Sequence, residues 1–297
     1  MSGHYAFMGH EAIGSFIEGG LSQIGWMRVE DVADAEVAFT YFIGSSLLED
    51  AYFDDGGLVK NAVSGTVLVD LSPSTPSFAR EISAVATVND LVFVEAPLAV
   101  LDPFGKVEFC CFAACEEPGG VDGVLALLDA IAVSVEECDA VGAAQLARAA
   151  NTVRMAASIV GAVESDALVR SAREVASVEA GIDDEFAGGF PIELLLADVV
   201  AAMTAADDVD LILPQLEAAM HLLELMVVIG GADMNPKALS LLYREEAASA
   251  AHGLDWTRAE GLYAEHEHGH AHDHGHDAYD YDDDFGFPGG FGGYSAN

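Results

Sequence analysis

The chain has 297 residues, of which 52% are hydrophobic, and this is enough to bury a sizeable core in one large or two medium domains. Eleven Lys and Arg residues stand against fifty Asp and Glu residues, so the formal net charge is −39. So few cations cannot form a basic patch, which excludes nucleic acid and anionic membranes as expected partners. The acidity fits either halophilic adaptation or ordinary surface solvation.

Residues 1–138 alternate short apolar runs with stretches of helical periodicity. The runs are rich in β-branched and aromatic residues, and they predict strands at 5–9, 36–43, 65–72, 91–98 and 107–114. Because the strands alternate with helical stretches, this section is predicted to form a parallel sheet covered by helices on both faces.

The stretch from 6 to 16, AFMGHEAIGSF, nearly matches the glycine fingerprint G-x-G-x-x-G of dinucleotide-binding folds. Gly9 and Gly14 occupy the outer positions, and Glu11 occupies the middle one. The middle glycine normally lets the backbone approach the pyrophosphate, whereas a carboxylate there repels the phosphates. These three positions are candidate cofactor-binding residues, or the two glycines serve strand–turn–helix packing alone.

A dinucleotide fold also needs a second strand, which ends about 20 residues after the loop in a residue that binds the ribose. Here residues 26–39, WMRVEDVADAEVAF, run from the first helical stretch directly into the strand predicted at 36–43. We therefore expect the second strand and its helix to be absent. The adenosine half of a dinucleotide would then lack its usual contacts.

Residues 139–262 have a different composition and are predicted to be all helical. A long Ala-rich helix without an internal proline comes first, and helices at 191–208, 211–231 and 235–253 follow. The last of these begins with an Asn cap followed by Pro. Because the long helix carries few charges on any face, it needs neighbours on most sides, and we expect a homodimer interface there.

Residues 263–297 are low in complexity and are predicted to be a disordered His-, Asp- and Gly-rich tail. Histidines alternate along it, at His266, His268, His270, His272, His274 and His276. Alternating imidazoles with acidic neighbours can bind Ni²⁺ or Zn²⁺. The pattern fits adventitious or buffering metal binding, a dedicated metal-delivery role, or a solvated tail with no metal.

Five segments in chain order resemble motifs of the β-hydroxyacid dehydrogenase family, which includes 3-hydroxyisobutyrate dehydrogenase and 6-phosphogluconate dehydrogenase-like proteins. They are TYFIGSSLLEDAYFDDGGL at 40–58, VDLSPSTPSFAREI at 69–82, VFVEAPLAVLDPFGKVEF at 92–109, GAAQLARAANTVRMAASIVGAVESDAL at 142–168 and FPIELLLAD at 190–198. The resemblance implies an α/β plus all-α fold: a truncated Rossmann-like NAD(P)-binding domain over 1–138, then a long inter-domain helix and an all-helical dimerisation domain over 139–262.

The resemblance also assigns roles to individual residues. The candidate catalytic residues are Arg148 at the place of the family's lysine, Asn151 and Thr152 at its asparagine, and Ser72 in the substrate segment, while Phe190 and Asp198 are candidate cofactor-binding residues. Arginine keeps its charge near neutral pH and is a poor general acid or base. Arg148 therefore either pairs with Asp70 or Glu95 at the domain junction or holds an anionic ligand. Ser72 is either a turn residue or a reagent.

Two functions follow. By the resemblance, residues 99–101 stand where the family has the SGG loop that holds the substrate carboxylate. This difference and those at Glu11 and Arg148 favour a pseudoenzyme that has lost hydride transfer and serves as a dimeric scaffold or small-ligand binder with a metal-binding tail. The alternative is an active NAD(P)-dependent oxidoreductase that binds a small hydroxy acid, carbonyl or imine in the inter-domain cleft. Four cysteines without a C-x-x-C pair, and an N-terminus without a signal-peptide pattern, predict a cytoplasmic protein.

Overall fold

Five parallel strands form the central sheet of the chain, whose computed structural model describes residues 2–102, 104–172 and 185–259. The strands are β1 (Gly3–Gly9), β2 (Trp26–Arg28), β3 (Val37–Tyr41), β4 (Val67–Asp70) and β5 (Val92–Glu95), in the order β2-β1-β3-β4-β5. The surrounding helices are α1 (Glu11–Gln23), α2 (Ser45–Phe53), α3 (Leu58–Asn61), α4 (Pro76–Val88) and α5 (Gly120–Ile131). The predicted parallel sheet is confirmed.

Both faces of this sheet are buried, which explains why its strands are apolar almost throughout. Successive strand residues point to opposite faces, so Phe39 belongs to one core cluster and Ala38 to the other. On the first face α1 buries Ile13, Ile17 and Leu21, whose spacing of four places them on one side of the helix. Helices α2 and α4 cover the other face.

The expected absence of the second strand is wrong. Strand β2 pairs in parallel with the start of β1, with Trp26 opposite Gly3 and Arg28 opposite Tyr5. It has only three residues, none of them fully buried, so it carries too little pattern to be recognised in the sequence. The expected loss of its helix is confirmed, because a 3-10 turn at Val32–Asp34 connects β2 to β3.

A second, three-stranded sheet follows the first. Its strands are β6 (Leu98–Val100), β7 (Phe109–Ala113) and β8 (Ser134–Glu137), in that order. Strand β6 runs antiparallel to β7, and β8 runs parallel to it. The sequence predicted β7, but its strand at 91–98 includes only the first residue of β6. It also missed β8, whose residues are polar and mostly exposed.

The helical section begins with α6 (Ala143–Ala172), which packs on α7 (Ile192–Asp207) and is followed by α8 (Pro214–Val228). The predicted Asn cap at Asn235 is confirmed, since its side chain accepts a hydrogen bond from the Lys237 N–H. It begins a 3-10 helix over Pro236–Tyr243, and a short α9 (Glu246–Ala250) follows, instead of one continuous helix. The domain boundary near residue 138 stays a prediction.

Across the described ranges, no helix combines the length and the apolar character that a membrane span requires. The tail, residues 263–297, and the end of the predicted all-helical section lie outside those ranges. The six alternating histidines are therefore known from the sequence alone.

Candidate functional site

Polar side chains at the carboxyl ends of β3 and β4 form a buried network. Thr40 donates a hydrogen bond to Asp70 Oδ1 at 2.9 Å, and its hydroxyl lies 2.9 Å from that of Tyr52. The same Asp70 oxygen accepts a hydrogen bond from the Ser72 backbone N–H at 3.1 Å. Burial raises the pKa of Asp70 to about 6, although these hydrogen bonds favour its ionised form. The network fixes the start of the loop after β4.

Ser72, a candidate catalytic residue, is fully buried in this loop. Its hydroxyl oxygen accepts a hydrogen bond from the Phe42 backbone N–H at 3.0 Å, which ties the loop after β3 to the loop after β4. Gln145 of α6 extends the tie, because its amide donates to the Ser72 carbonyl and accepts from the Ser74 N–H, both at 3.0 Å. Of the two roles considered from the sequence, this geometry fits the turn residue.

Glu95, the last residue of β5, caps the N-terminus of α6. Its carboxylate accepts hydrogen bonds from the backbone N–H groups of Gly142 at 2.6 Å and Gln145 at 2.9 Å. N–H groups at a helix start lack partners within the helix, and the positive end of the helix dipole favours a carboxylate. Burial nevertheless raises the pKa of Glu95 to about 7. A strand residue thus anchors the 30-residue helix.

Arg148, at the place of the family's catalytic lysine, is completely buried and pairs with Asp198 of α7, with 3.5 Å between Nη1 and Oδ1. Arg148 pairs with an acid, as expected, but the acid is Asp198 of α7 and not Asp70 or Glu95. Arg148 Nε also donates to Gln145 Oε1 at 3.1 Å. Burial lowers the pKa of Arg148 and raises that of Asp198 to about 6. Arginine stays charged near neutral pH, so Arg148 is a fixed cation and a poor proton donor.

The other two candidates on α6 also bind protein groups. Thr152 is buried and donates a hydrogen bond to the Arg148 carbonyl at 3.2 Å. Asn151 is half-buried and donates to the Val100 carbonyl of β6 at 3.1 Å. Residues 99–101, where the resemblance places the substrate-carboxylate loop, are therefore partly the buried strand β6. The hydrogen bond from Asn151 joins α6 to this strand.

The two candidate cofactor-binding residues of the helical section are buried as well. Phe190 precedes α7 and packs edge-to-face against Phe109 of β7, with 6.2 Å between the ring centroids. Asp198 faces Arg148. The structure therefore brings Arg148, Thr152 and Asp198 together, in a buried polar layer between α6 and α7.

The loop between β1 and α1 keeps both outer glycines of the fingerprint for steric reasons. Gly9 has a φ of +132°, and a Cβ there would overlap the Tyr41 carbonyl oxygen of β3. A Cβ at Gly14 would lie 2.7 Å from carbons of the Phe7 ring. Strand–turn–helix packing, one of the two explanations considered from the sequence, is sufficient for both glycines.

Glu11, the first residue of α1, forms an ion pair with Arg28 at the end of β2. Its Oε1 lies 2.9 Å from Nη1 and its Oε2 lies 3.4 Å from Nη2. These hydrogen bonds lower the pKa of Glu11, so the carboxylate is ionised. Arg28, which also lies over the Phe7 ring, occupies the position from which dinucleotide folds recognise the ribose. Sequence reasoning missed Arg28 because it missed the strand that carries it.

The NAD(P) implied by the resemblance fits this loop poorly. The pyrophosphate of a bound dinucleotide normally lies against the N-terminus of the first helix. Here a carboxylate stands at that terminus and engages the arginine that would otherwise meet the ribose or its phosphate. An internal ion pair therefore takes the place of the usual contacts.

A cavity of about 370 Å³ opens at the same sheet edge, between the loops after β3 and β4 and helix α7. This cleft cavity is lined by Ile43, Gly44, Ser45, Pro73, Ser74, Thr75, Phe78, Glu193, Leu196, Ala197, Val200, Ala201 and Thr204. Its two walls are tied at one end, where Asp208 accepts hydrogen bonds from the Ser77 N–H at 3.1 Å and the Ser77 hydroxyl at 2.6 Å. Since open parallel sheets bind ligands beyond the carboxyl ends of their strands, the cleft cavity is the candidate ligand site.

A larger, apolar groove of about 920 Å³ lies between α6, α7 and the segment that follows α7. Leu211 is 56% exposed beside it, and the neighbouring Ile212 is 86% exposed. Together with the groove, these two exposed side chains form a candidate protein interaction surface.

No protein-family model matches the chain. The uncharacterized oxidoreductase YkwC of Bacillus subtilis is 24% identical over 169 residues, which are 56% of this chain and 59% of that protein. The NAD-dependent L-serine dehydrogenase of Pseudomonas aeruginosa is 24% identical over 238 residues, which are 71% of this chain and 80% of that protein. The structure of Mycobacterium tuberculosis 3-hydroxyisobutyrate dehydrogenase with L-serine matches 82% of this chain and all of that chain, with a TM-score of 0.65 at 18% identity.

The chain has the fold of the 3-hydroxyisobutyrate dehydrogenases. Its neighbours in sequence and structure are β-hydroxyacid dehydrogenases of this kind, all at low identity, so the predicted resemblance is confirmed. The match to the Bacillus relative spans less than two thirds of that protein. Relatives named as oxidoreductases and as NAD-dependent place the chain near NAD(P)-dependent dehydrogenases.

Within this 3-hydroxyisobutyrate dehydrogenase fold, the roles carried over from the family stay predictions. The described ranges contain no group of three His, Cys, Asp or Glu side chains arranged to hold a metal ion. The predicted Ni²⁺ or Zn²⁺ ligands all belong to the tail, outside those ranges. Besides Arg28, the sequence analysis did not identify Glu193, which lines the cleft cavity. The sequence shows only that Glu193 lies three residues after Phe190 in the segment FPIELLLAD.

Proposed function

We propose that this chain is a divergent 3-hydroxyisobutyrate dehydrogenase-like protein that has lost ordinary hydride transfer and binds a small molecule in the cleft cavity. The observation that carries the proposal is the burial of Arg148 against Asp198. The family's lysine must reach substrate and exchange a proton, whereas this arginine is sealed from solvent and holds its proton near neutral pH.

The ion pair between Glu11 and Arg28 supports the same proposal from the cofactor side. A carboxylate at the start of α1 repels a pyrophosphate, and Arg28 is already engaged. Glu11 thus weakens the case for cofactor binding, and Arg148 weakens the case for proton transfer. These two separate substitutions both support a loss of hydride transfer.

Calorimetric titration with NADH and NADPH tests the proposal, followed by turnover assays with small hydroxy acids, including L-serine and 3-hydroxyisobutyrate. We expect no binding at micromolar concentration and no turnover. Micromolar binding together with substrate-dependent reduction of NAD⁺ or NADP⁺ would overturn the proposal.

The second candidate function is an active NAD(P)-dependent oxidoreductase on a small hydroxy acid, carbonyl or imine. Two observations favour it: Arg28 stands where a ribose phosphate is recognised, and Arg148 Nη2 has no hydrogen-bond partner among the described residues. In that case a dinucleotide would displace Glu11 from Arg28, and the titration above would detect it.

We extend the proposal to assembly and to the tail. The apolar groove beside α6 supports a homodimer, which sedimentation velocity tests directly; loss of dimer in a Leu211→Asp, Ile212→Asp variant is the expected result. The six alternating histidines support weak Ni²⁺ or Zn²⁺ binding, and we expect a chain truncated after residue 262 to lose it. Metal binding that survives truncation would exclude the tail as the site.

A further inference from the structure

The cleft cavity has an unusual charge distribution for a fold whose relatives act on hydroxy acids. Glu193 of α7 is the only ionisable side chain among the described residues that line it, and none of those residues is basic. Within the described ranges Glu193 has no ion-pair partner. A carboxylate-bearing ligand would therefore meet a like charge and no cation.

The nearest buried cation does not change this balance. Arg148 is completely buried, pairs with Asp198 and is absent from the described cavity wall. Gln145 lies between it and the Ser74 backbone at the cavity edge. The starts of three helices, α2 at Ser45, α4 at Pro76 and α7 at Ile192, contribute only partial positive charges. The first N–H groups of α4 and α7 are already engaged by protein oxygens.

The remaining lining is suited to a small organic cation. The Phe78 side chain forms part of the wall, and an aromatic ring beside an ammonium group attracts it. Thr204 donates its hydroxyl proton to the Val200 carbonyl at 3.0 Å, so its oxygen can accept a hydrogen bond from an N–H donor. Leu196 and Val200 supply apolar surface for a short carbon skeleton. At about 370 Å³ the cavity is at the lower end of the range for ligand sites, about 300–1,000 Å³.

We infer that the cleft cavity binds a small organic ammonium ion, with Glu193 as its counter-ion and Phe78 beside it. This inference rests on the proposed function, in which the cavity is a ligand site, and it adds the chemical class of the ligand. The net charge of −39 reinforces it, because a strongly negative molecule attracts cations and repels hydroxy acids.

The test is calorimetric titration of the full chain, without dinucleotide and in an amine-free buffer, with three ligands of similar shape: isobutylamine, isobutyrate and valine. We expect saturable binding of isobutylamine and none of isobutyrate. Valine carries both an ammonium group and a carboxylate, and we expect it to bind more weakly than isobutylamine because its carboxylate meets the like charge of Glu193.

The variant Glu193→Gln keeps the size of the side chain and removes its charge. We expect it to weaken isobutylamine binding by about tenfold or more, as for the loss of a partly buried charge partner. Glu217→Gln is the matched control, because Glu217 is an exposed acid on α8 away from the cavity. The affinity of this variant for isobutylamine should stay within about twofold of that of wild type.

Three results would overturn the inference: no binding of isobutylamine, preference for isobutyrate, or equal weakening by both substitutions. None of them depends on a dinucleotide. The inference therefore fails on the amine titration, whereas the proposed loss of hydride transfer fails on NAD(P)H binding and turnover.

Discussion

Two charged pairs in this molecule each include a candidate site residue, and the pairs differ in accessibility. The Glu11–Arg28 pair lies at the surface, where the Glu11 side chain is 70% exposed. The Arg148–Asp198 pair is buried between α6 and α7. Solvent weakens an exposed pair, while a buried pair that loses one partner leaves an uncompensated charge. A mutation should therefore break the Glu11–Arg28 pair at little cost in stability, whereas breaking the Arg148–Asp198 pair should destabilise the core.

The largest effect is expected from Arg148→Ala. It leaves Asp198 buried without its cation, and such a loss typically costs about 3–5 kcal/mol of unfolding free energy. Denaturant unfolding followed by circular dichroism measures it. Lys106→Ala, at an exposed cation between β6 and β7, is the control and should change stability by less than about 0.5 kcal/mol. A loss below about 1 kcal/mol for Arg148→Ala would show that the buried pair is not structural.

A second prediction concerns pH. The folded-state pKa values of Glu95, Asp70 and Asp198, about 7, 6 and 6, are above their ordinary values of 4.5, 3.8 and 3.8. Between the ordinary and raised values the folded protein holds more protons than the unfolded chain. The free energy of unfolding therefore falls as pH rises from about 4 to about 7, by at most about 1.4 kcal/mol per pH unit for each group.

The variant Glu95→Gln isolates one of these groups. It cannot titrate, so its unfolding free energy should depend less steeply on pH between 5 and 7 than that of wild type. Glu217→Gln should keep the wild-type slope. If the two variants give the same pH dependence, the α6 cap is not the source of the effect.

A third prediction concerns the exposed pair. Glu11→Gly restores the middle glycine of the fingerprint and releases Arg28 to bind phosphate. We expect NADPH affinity to rise by about tenfold or more, with a smaller gain for NADH, because an arginine at the end of β2 favours the 2′-phosphate. Fluorescence titration measures both. An unchanged NADPH affinity would show that the pair does not control access.

The smallest effect is expected from Glu11→Gln. It breaks the ion pair but keeps the size of the side chain, and exposed pairs contribute little to folding. The thermal midpoint should be indistinguishable from that of wild type. A clear drop in the thermal midpoint would mean that the exposed pair, like the buried one, contributes substantially to folding stability.

Long apolar segments were the predictable part of this molecule. The strands at β1, β3, β4 and β7 and the helices around them follow from patterns that extend over five residues or more. Strand β2 is too short to show a period, and β8 is polar because one side of it is exposed. Local pattern carries no signal for such elements, which form because a neighbouring strand offers free hydrogen-bonding groups.

The candidate site was less predictable, because its contacts join residues far apart in the sequence. Glu95 caps a helix that begins 48 residues later, and Arg148 pairs with Asp198, 50 residues away. The resemblance identified Arg148 and Asp198 but not that they pair, and it gave Glu95 no role. Glu193 and Arg28 gained significance only when the fold placed one in a cavity wall and the other beside Glu11.

The cleft cavity is braced at two points: Glu95 holds the start of α6 to the sheet, and Asp208 holds the end of α7 to α4. A hinge motion between the sheet and the helices would have to break both sets of hydrogen bonds. Ligand uptake should therefore proceed without a closing step, so the observed association rate should increase linearly with ligand concentration and show no plateau.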